Sequence, residues 1–168
     1  SKATLKMQLY DPYVKAFQWA TWRLQESEEG IVAFVSNNSF LDSIAFDGMR
    51  KHLMANFSKI YHVNLKGNAR TTGERRRQEA GNVFDDVIRV GVGMTFLVKK
   101  KPSLKPPEVW IYSIADYLKS SQKHEFLAQA GHLFQLPIRV AQVDQNYTWL
   151  TEGLHAEFET FMPLGTKA

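Results

Sequence analysis

Between Ile31 and Leu65 the sequence passes from a continuous apolar run to a helical stripe and then to an alternating run. This order limits the fold more than any other feature. Ile31-Val32-Ala33-Phe34-Val35 has the length and composition of a strand buried on both faces. Ala45, Met49, Leu53 and Phe57 recur at four-residue spacing and predict a helix from Asp42 to about Phe57. Tyr61, Val63 and Leu65 then alternate along a second strand, Lys59 to Leu65. Strand, helix and strand over about 35 residues form a βαβ unit, which implies a parallel pair and a right-handed crossover. The chain therefore reads as α/β.

The flanks add further elements. Asp11-Pro12 supplies an N-cap and a proline for the first helical position, and Tyr13, Phe17, Ala20 and Leu24 form the apolar stripe of a helix reaching about Ser27. Trp19 and Trp22 fall off that stripe, so a second covered side is expected. Val87 to Val98 is the cleanest strand pattern, with Gly91 and Gly93 on the face opposite its apolar residues, where close approach of another backbone or a bend is expected. Before it, Lys66 to Gly81 contains three glycines, two threonines and four arginines and reads as a long, functional loop. Beyond Lys101 the texture changes. Pro102, Pro106 and Pro107 mark a linker, Val109 to Ile114 a strand, Asp116 to Ala130 a helix and Ile138 to Val143 a short strand. The boundary places residues 1–101 in one unit and 102–168 in an α+β connector.

Composition removes several classes of function. There is no cysteine, which excludes a disulfide scaffold, a thiolate metal site and a thiol nucleophile. No apolar run approaches membrane-spanning length and no N-terminal leader pattern is visible, so a soluble, cytoplasmic protein is expected. The 168 residues suit one domain with an appended element, and a start at Ser1 reads as a piece of something larger. The net charge of +4 matters less than its distribution. Arg70, Arg75, Arg76 and Arg77 form one basic cluster, and Lys99, Lys100, Lys101 and Lys105 a second. Basic loops of this kind contact phosphates or simply face water, and composition alone leaves both open.

The candidate binding residues lie at strand ends. Open α/β sheets place ligands beyond the carboxyl ends of their strands. Here the first strand runs into Ser36-Asn37-Asn38-Ser39, four polar side chains able to hydrogen-bond a small molecule or a base edge. The same residues are favoured in turns and helix caps, so the alternative is purely structural. Phe84, between the basic segment and the long strand, is placed either to stack on an unpaired base or to enter the core. No metal site is expected: the five histidines have no ligand spacing, and Asp85-Asp86 reads as a solvated turn. Gly91-Val92-Gly93 is no dinucleotide fingerprint, and neither a phosphate-binding loop nor a nucleophile elbow occurs.

Taken together, these segments resemble a known family. Leu9 to Tyr13, Gly30 to Leu41, Phe46 to Leu53, Gly67-Asn68, and Asn82-Val83-Phe84 ahead of Val90-Gly91-Val92 occur in one order. That order resembles the second half of the catalytic domain of an adenine-specific (N6) DNA methyltransferase. The resemblance points to the large single-chain restriction–modification enzymes, in which helicase or nuclease, methyltransferase and target-recognition parts share one polypeptide. It covers residues 8 to 99 and extends more loosely to Trp149–Leu154 and Phe161–Gly165.

The resemblance implies a partial Rossmann-like sheet of an S-adenosylmethionine-dependent methyltransferase, made of its later strands and including the reversed strand. It implies transfer of a methyl group to a flipped adenine in double-stranded DNA by the intact parent. Phe84 would stack on the extruded base, Asn37, Asn38 and Ser39 would border the same pocket, and Tyr10 and Tyr13 would line the cofactor side. Arg70, Arg75, Arg76 and Arg77 would meet the DNA backbone. The family's glycine-containing cofactor loop and its Asn-Pro-Pro-Tyr motif do not occur, since Pro106-Pro107 is flanked by Lys105 and Glu108. Both are expected upstream, which leaves this fragment without catalytic residues, inactive alone, and with a sheet edge exposed. The alternative is a non-enzymatic α/β module that holds nucleic acid through its arginines.

Overall fold

The computed structural model describes residues 6–100 and 106–151. Its centre is a five-stranded sheet of β1 (Glu29–Asn37), β2 (Lys59–Asn64), β3 (Val92–Lys100), β4 (Glu108–Ser113) and β5 (Arg139–Val140), in the order β1-β3-β2-β4-β5. The helices are α1 (Pro12–Arg23), α2 (Asp47–Asn56), α3 (Gly73–Glu79) and α4 (Ser120–Ala130). The mixed sheet with helices on it is a partial Rossmann-like α/β fold, as the resemblance implies. Among the described residues no helix is long and apolar enough to cross a membrane.

One topological expectation is corrected. β1 and β2 run in the same direction but are not neighbours, because β3 lies antiparallel between them, pairing Ala33 with Phe96 and Tyr61 with Phe96. The parallel neighbour of β2 is β4, with Tyr61 opposite Trp110. Alternation specifies which face a side chain takes but not which strand lies beside it.

The two faces are covered unequally. On one face Val32, Leu97, Ile60 and Val109 pack with Phe17 of α1, Leu53 of α2, Phe40 and Trp149 in a single core. On the other, Val63, Val92 and Ile114 pack with Phe126 and Leu127 of α4. The β1 end of that second face is open: Ile31 is 70% and Val35 57% exposed, so β1 is covered on one face rather than two. The second side of α1 is likewise open, with Trp19 and Trp22 each 61% exposed. β1 ends the strand order, so its outer edge has no partner among the described residues.

Local chemistry explains the remaining departures. Asp11 caps α1 as expected, accepting from the Tyr13 N–H. The segment expected to be loop contains α3, which buries none of its residues and so shows no apolar periodicity. The strand expected from Val87 begins only at Val92, because the Val90 carbonyl is taken by the Asn82 side chain. Gly93 does meet close neighbours: an added Cβ would strike the His62 ring and lie 3.0 Å from the Val63 carbonyl oxygen. Lys99 does not face solvent; it is 5% exposed and caps the end of α1 at the Leu24 and Gln25 carbonyls. Lys101, Lys105 and the tail from Glu152 lie outside the described residues.

A buried arginine ties the last described segment to this frame. Arg50 of α2 is fully buried and donates to four carbonyls, those of Phe40 and Ser43 in the loop after β1 and those of Asn146 and Tyr147. Burial lowers its pKa, while Asp144, Asp47 and Asp42 oppose that shift. Trp149, next to this anchor, packs edge-on against Phe40, so β4, β5 and residues 144–149 share the sheet and core with β1–β3.

Candidate functional site

The polar and aromatic candidates meet at one end of the sheet, where β1 and β2 finish and β3 begins. The loop leaving β1 is shaped by its own amides. Asn37 Oδ1 accepts from the Ser39 backbone N–H at 2.9 Å and from the Ser39 hydroxyl at 2.6 Å. Asn38 donates from Nδ2 to Asn64 Oδ1 at 2.6 Å and lies over Gly91, where a Cβ would crowd it. Asn64, buried at the end of β2, also accepts from the Lys66 backbone N–H. Asn38 and Ser39 are thus occupied with loop geometry, whereas Asn37 Nδ2 makes no hydrogen bond among the described residues and borders two cavities.

The first of these is a polar cavity of about 450 Å³. It is bounded by Asn37, Asn38 and Ser39 on one side and by Asn68, Arg70 and Arg75 on the other. Tyr13 reaches its wall, packed between Phe40 and Phe46; its hydroxyl is buried without a hydrogen-bond partner among the described residues, and burial with the nearby Asp11 raises its pKa. Tyr10 does not take part and is 70% exposed in a 3₁₀ turn ahead of α1.

The second cavity is an open apolar groove of about 640 Å³ lined by Val35, Val83, Phe84, Val87, Ile88 and Val92, with Asn37 at its rim. Phe84 is half exposed there, so its ring enters the groove rather than the core. Its position is set by Asn82, whose Oδ1 accepts from the Phe84 N–H while Nδ2 donates to the Gly67 and Val90 carbonyls. This buried clamp fixes a chain reversal at Lys66-Gly67, both at positive φ, where a Gly67 Cβ would lie 2.8 Å from Asn82 Cα.

The four arginines separate into different roles. Arg75 forms an ion pair with Asp42 in the wall of the polar cavity, and Arg70 lines the same cavity. Arg76 donates to the Ala80 carbonyl at the end of its own helix, and Arg77 pairs with Glu74 one turn away. Sequence reasoning missed three buried supports beneath them. Lys66 pairs with Asp116, and Lys123 is 1% exposed with its amine on the Leu65 and Glu79 carbonyls. Burial lowers the Lys123 pKa to about 8. The third, Asn64, was visible as a polar residue at the end of an apolar strand.

The comparisons with known proteins place this geometry in a setting. No protein-family model and no curated protein matches the chain. Among solved structures, it is 42% identical to the protein of a DrdV–DNA complex, with a TM-score of 0.80 over 89% of this chain and 14% of that one. A Type ISP restriction–modification enzyme, LlaGI in complex with a DNA substrate mimic, is 32% identical with a TM-score of 0.87, covering 99% of this chain and 16% of its own. LlaBIII, an ATP-dependent Type ISP restriction–modification enzyme bound to DNA, is 34% identical with a TM-score of 0.86, over 99% of this chain and 11% of that one. In sequence and in fold, the chain is similar to a segment of two Type ISP restriction–modification enzymes and of the DrdV protein, and it spans 11–16% of the length of these three.

Proposed function

We propose that this chain forms the target-base side of an adenine-N6 DNA methyltransferase within a longer restriction–modification polypeptide. The observation that carries the reading is Phe84, half exposed in an apolar groove that Asn37 also lines, with Asn37 Nδ2 making no hydrogen bond among the described residues. Methylation of an exocyclic amine requires the base to leave the duplex. An aromatic face offsets part of the stacking that is lost, and a side-chain amide offers a hydrogen bond to the base edge. The similarity to a segment of enzymes bound to DNA supports the same reading.

S-adenosylmethionine would supply the methyl group. The described residues do not make a cradle for it: the loop after β1 has no glycine, and Gly67 after β2 is closed off by Asn82. Its site is assigned to other parts of the polypeptide, and the 168-residue chain alone should not bind it in equilibrium dialysis. A non-catalytic nucleic-acid module is less well supported, since Arg76 and Arg77 are engaged within their own helix.

The test uses the longer enzyme. Phe84→Ala should lower adenine methylation by about 5- to 150-fold, from a stacking contribution of about 1–3 kcal/mol. It should also weaken the fluorescence signal of 2-aminopurine placed at the target position. Unchanged methylation would refute the assignment.

A further inference from the structure

Two polar cavities, of about 450 and 390 Å³, lie side by side at this end of the sheet and share Asp42, Asn64, Arg75, Glu79 and Leu150 in their walls. Asp42 comes from the loop after β1 and Arg75 from α3, and their ion pair joins the two across the shared wall. The pair is therefore part of the partition between the cavities.

It is a weak partition. The Nη2–Oδ2 distance is 3.5 Å and the two side chains are 63% and 40% exposed. Pairs of this kind contribute little and exchange readily for a better partner. Arg70 lines the cavity of about 450 Å³ and its guanidinium makes no hydrogen bond or ion pair among the described residues. A phosphodiester offers an arginine the same paired oxygens as a carboxylate, with full charge and without a tether.

We propose that Asp42 stands in for a DNA phosphate in the free protein, holding Arg75 in position until the backbone of a bound strand takes its place. Arg75 then passes from Asp42 to the phosphate beside Arg70, and the two cavities join into one cleft. The displaced Asp42 keeps a favourable neighbour, since it lies in the field of the buried Arg50 guanidinium. The inference rests on the DNA reading above and names the residue that makes the exchange.

The test is a double-mutant cycle by fluorescence anisotropy on a duplex DNA across a range of salt concentrations. Both positions are solvent-exposed, and thermal melts establish that each variant folds. Asp42→Asn should tighten binding about two- to five-fold, the range for an exposed pair. Arg75→Gln should weaken it and reduce the slope of log K against log salt by about 0.9. In the Arg75→Gln background, Asp42→Asn should give no gain. An equal gain in both backgrounds would mark a long-range charge effect and overturn the exchange, as would no gain in either. Absence of salt-dependent binding by the unmodified chain would instead overturn the DNA reading itself.

Discussion

Replacing Arg50 by Met tests whether the buried guanidinium organises the loop after β1 and the last described segment together. Arg50 is fully buried and pairs with no carboxylate among the described residues; its four hydrogen bonds, at 2.6 to 3.0 Å, all go to main-chain carbonyls. Hydrogen bonds from a charged group contribute about 1.5–3 kcal/mol each, but removing the charge also removes its desolvation cost. The net loss expected for Arg50→Met is about 3–5 kcal/mol, since several buried carbonyls lose their donor at about 1–3 kcal/mol each while the desolvation cost of the charge is recovered. In a domain of this size that lowers the melting temperature by roughly 10 °C. The local signature is specific. Trp149 is 2% exposed beside the Asn146 and Tyr147 anchors, whereas Trp19 and Trp22 already face water. Its red-shifted emission should therefore precede global unfolding in a urea titration. A loss below about 1 kcal/mol, with Trp149 still shielded, would mean that water replaces the guanidinium and that the segment is held by Trp149 packing alone.

Two further predictions concern the core beneath the site. His62 is fully buried, with Nδ1 at 2.9 Å from the Thr95 hydroxyl and Nε2 without a hydrogen-bond partner among the described residues, and burial lowers its pKa to about 3. Above the ordinary histidine value near 6.5 neither state is protonated and stability is complete; as pH falls from there towards 3, the unfolded chain takes up a proton that the folded one refuses. Stability should fall by up to about 1.4 kcal/mol per pH unit in that window, and His62→Leu should flatten this part of a urea-denaturation profile; an unchanged slope would refute the assignment. Gly93→Ala should cost about 1–3 kcal/mol, because the new methyl meets the His62 ring and the Val63 carbonyl, and an unchanged melting temperature would show that β2 yields without strain.

The elements were legible where burial imposes a period. Phe17, Leu53 and Val63 repeat at the spacings their helices and strands require, and all three are buried core residues. Strand order was not legible, because the alternation of Met94, Phe96 and Val98 is the same whichever strands flank β3. The exposure of Ile31 and Val35 was hidden for the opposite reason: an apolar residue reads as buried whether or not anything covers it. At the site, the strand-end positions of Asn37, Asn38 and Ser39 followed from the pattern, and the structure brings them beside Arg70 and Arg75. What each arginine holds was illegible, since four arginines in one segment look alike until partners as distant in sequence as Asp42 are in place. Arg50 and Lys123 were missed because a cation on a helix reads as surface; the carbonyls that hold them are main-chain atoms and leave no trace in the sequence.

The insertion of β3 between β1 and β2 also dictates the order in which the sheet can assemble. Every ladder in it involves a residue at or beyond Val92: β1 and β2 pair with β3, and β4 pairs with β2 and β5. For these ladders, two finished strand sequences therefore wait for their partner β3 until about 55 residues beyond the end of β1 have emerged from the ribosome. Closing contacts over such separations is slow, and apolar strands that wait are open to wrong partners. Folding speed should depend on how well α1 and α2 shelter Val32 and Ile60 during that interval, more than on the strength of the completed sheet.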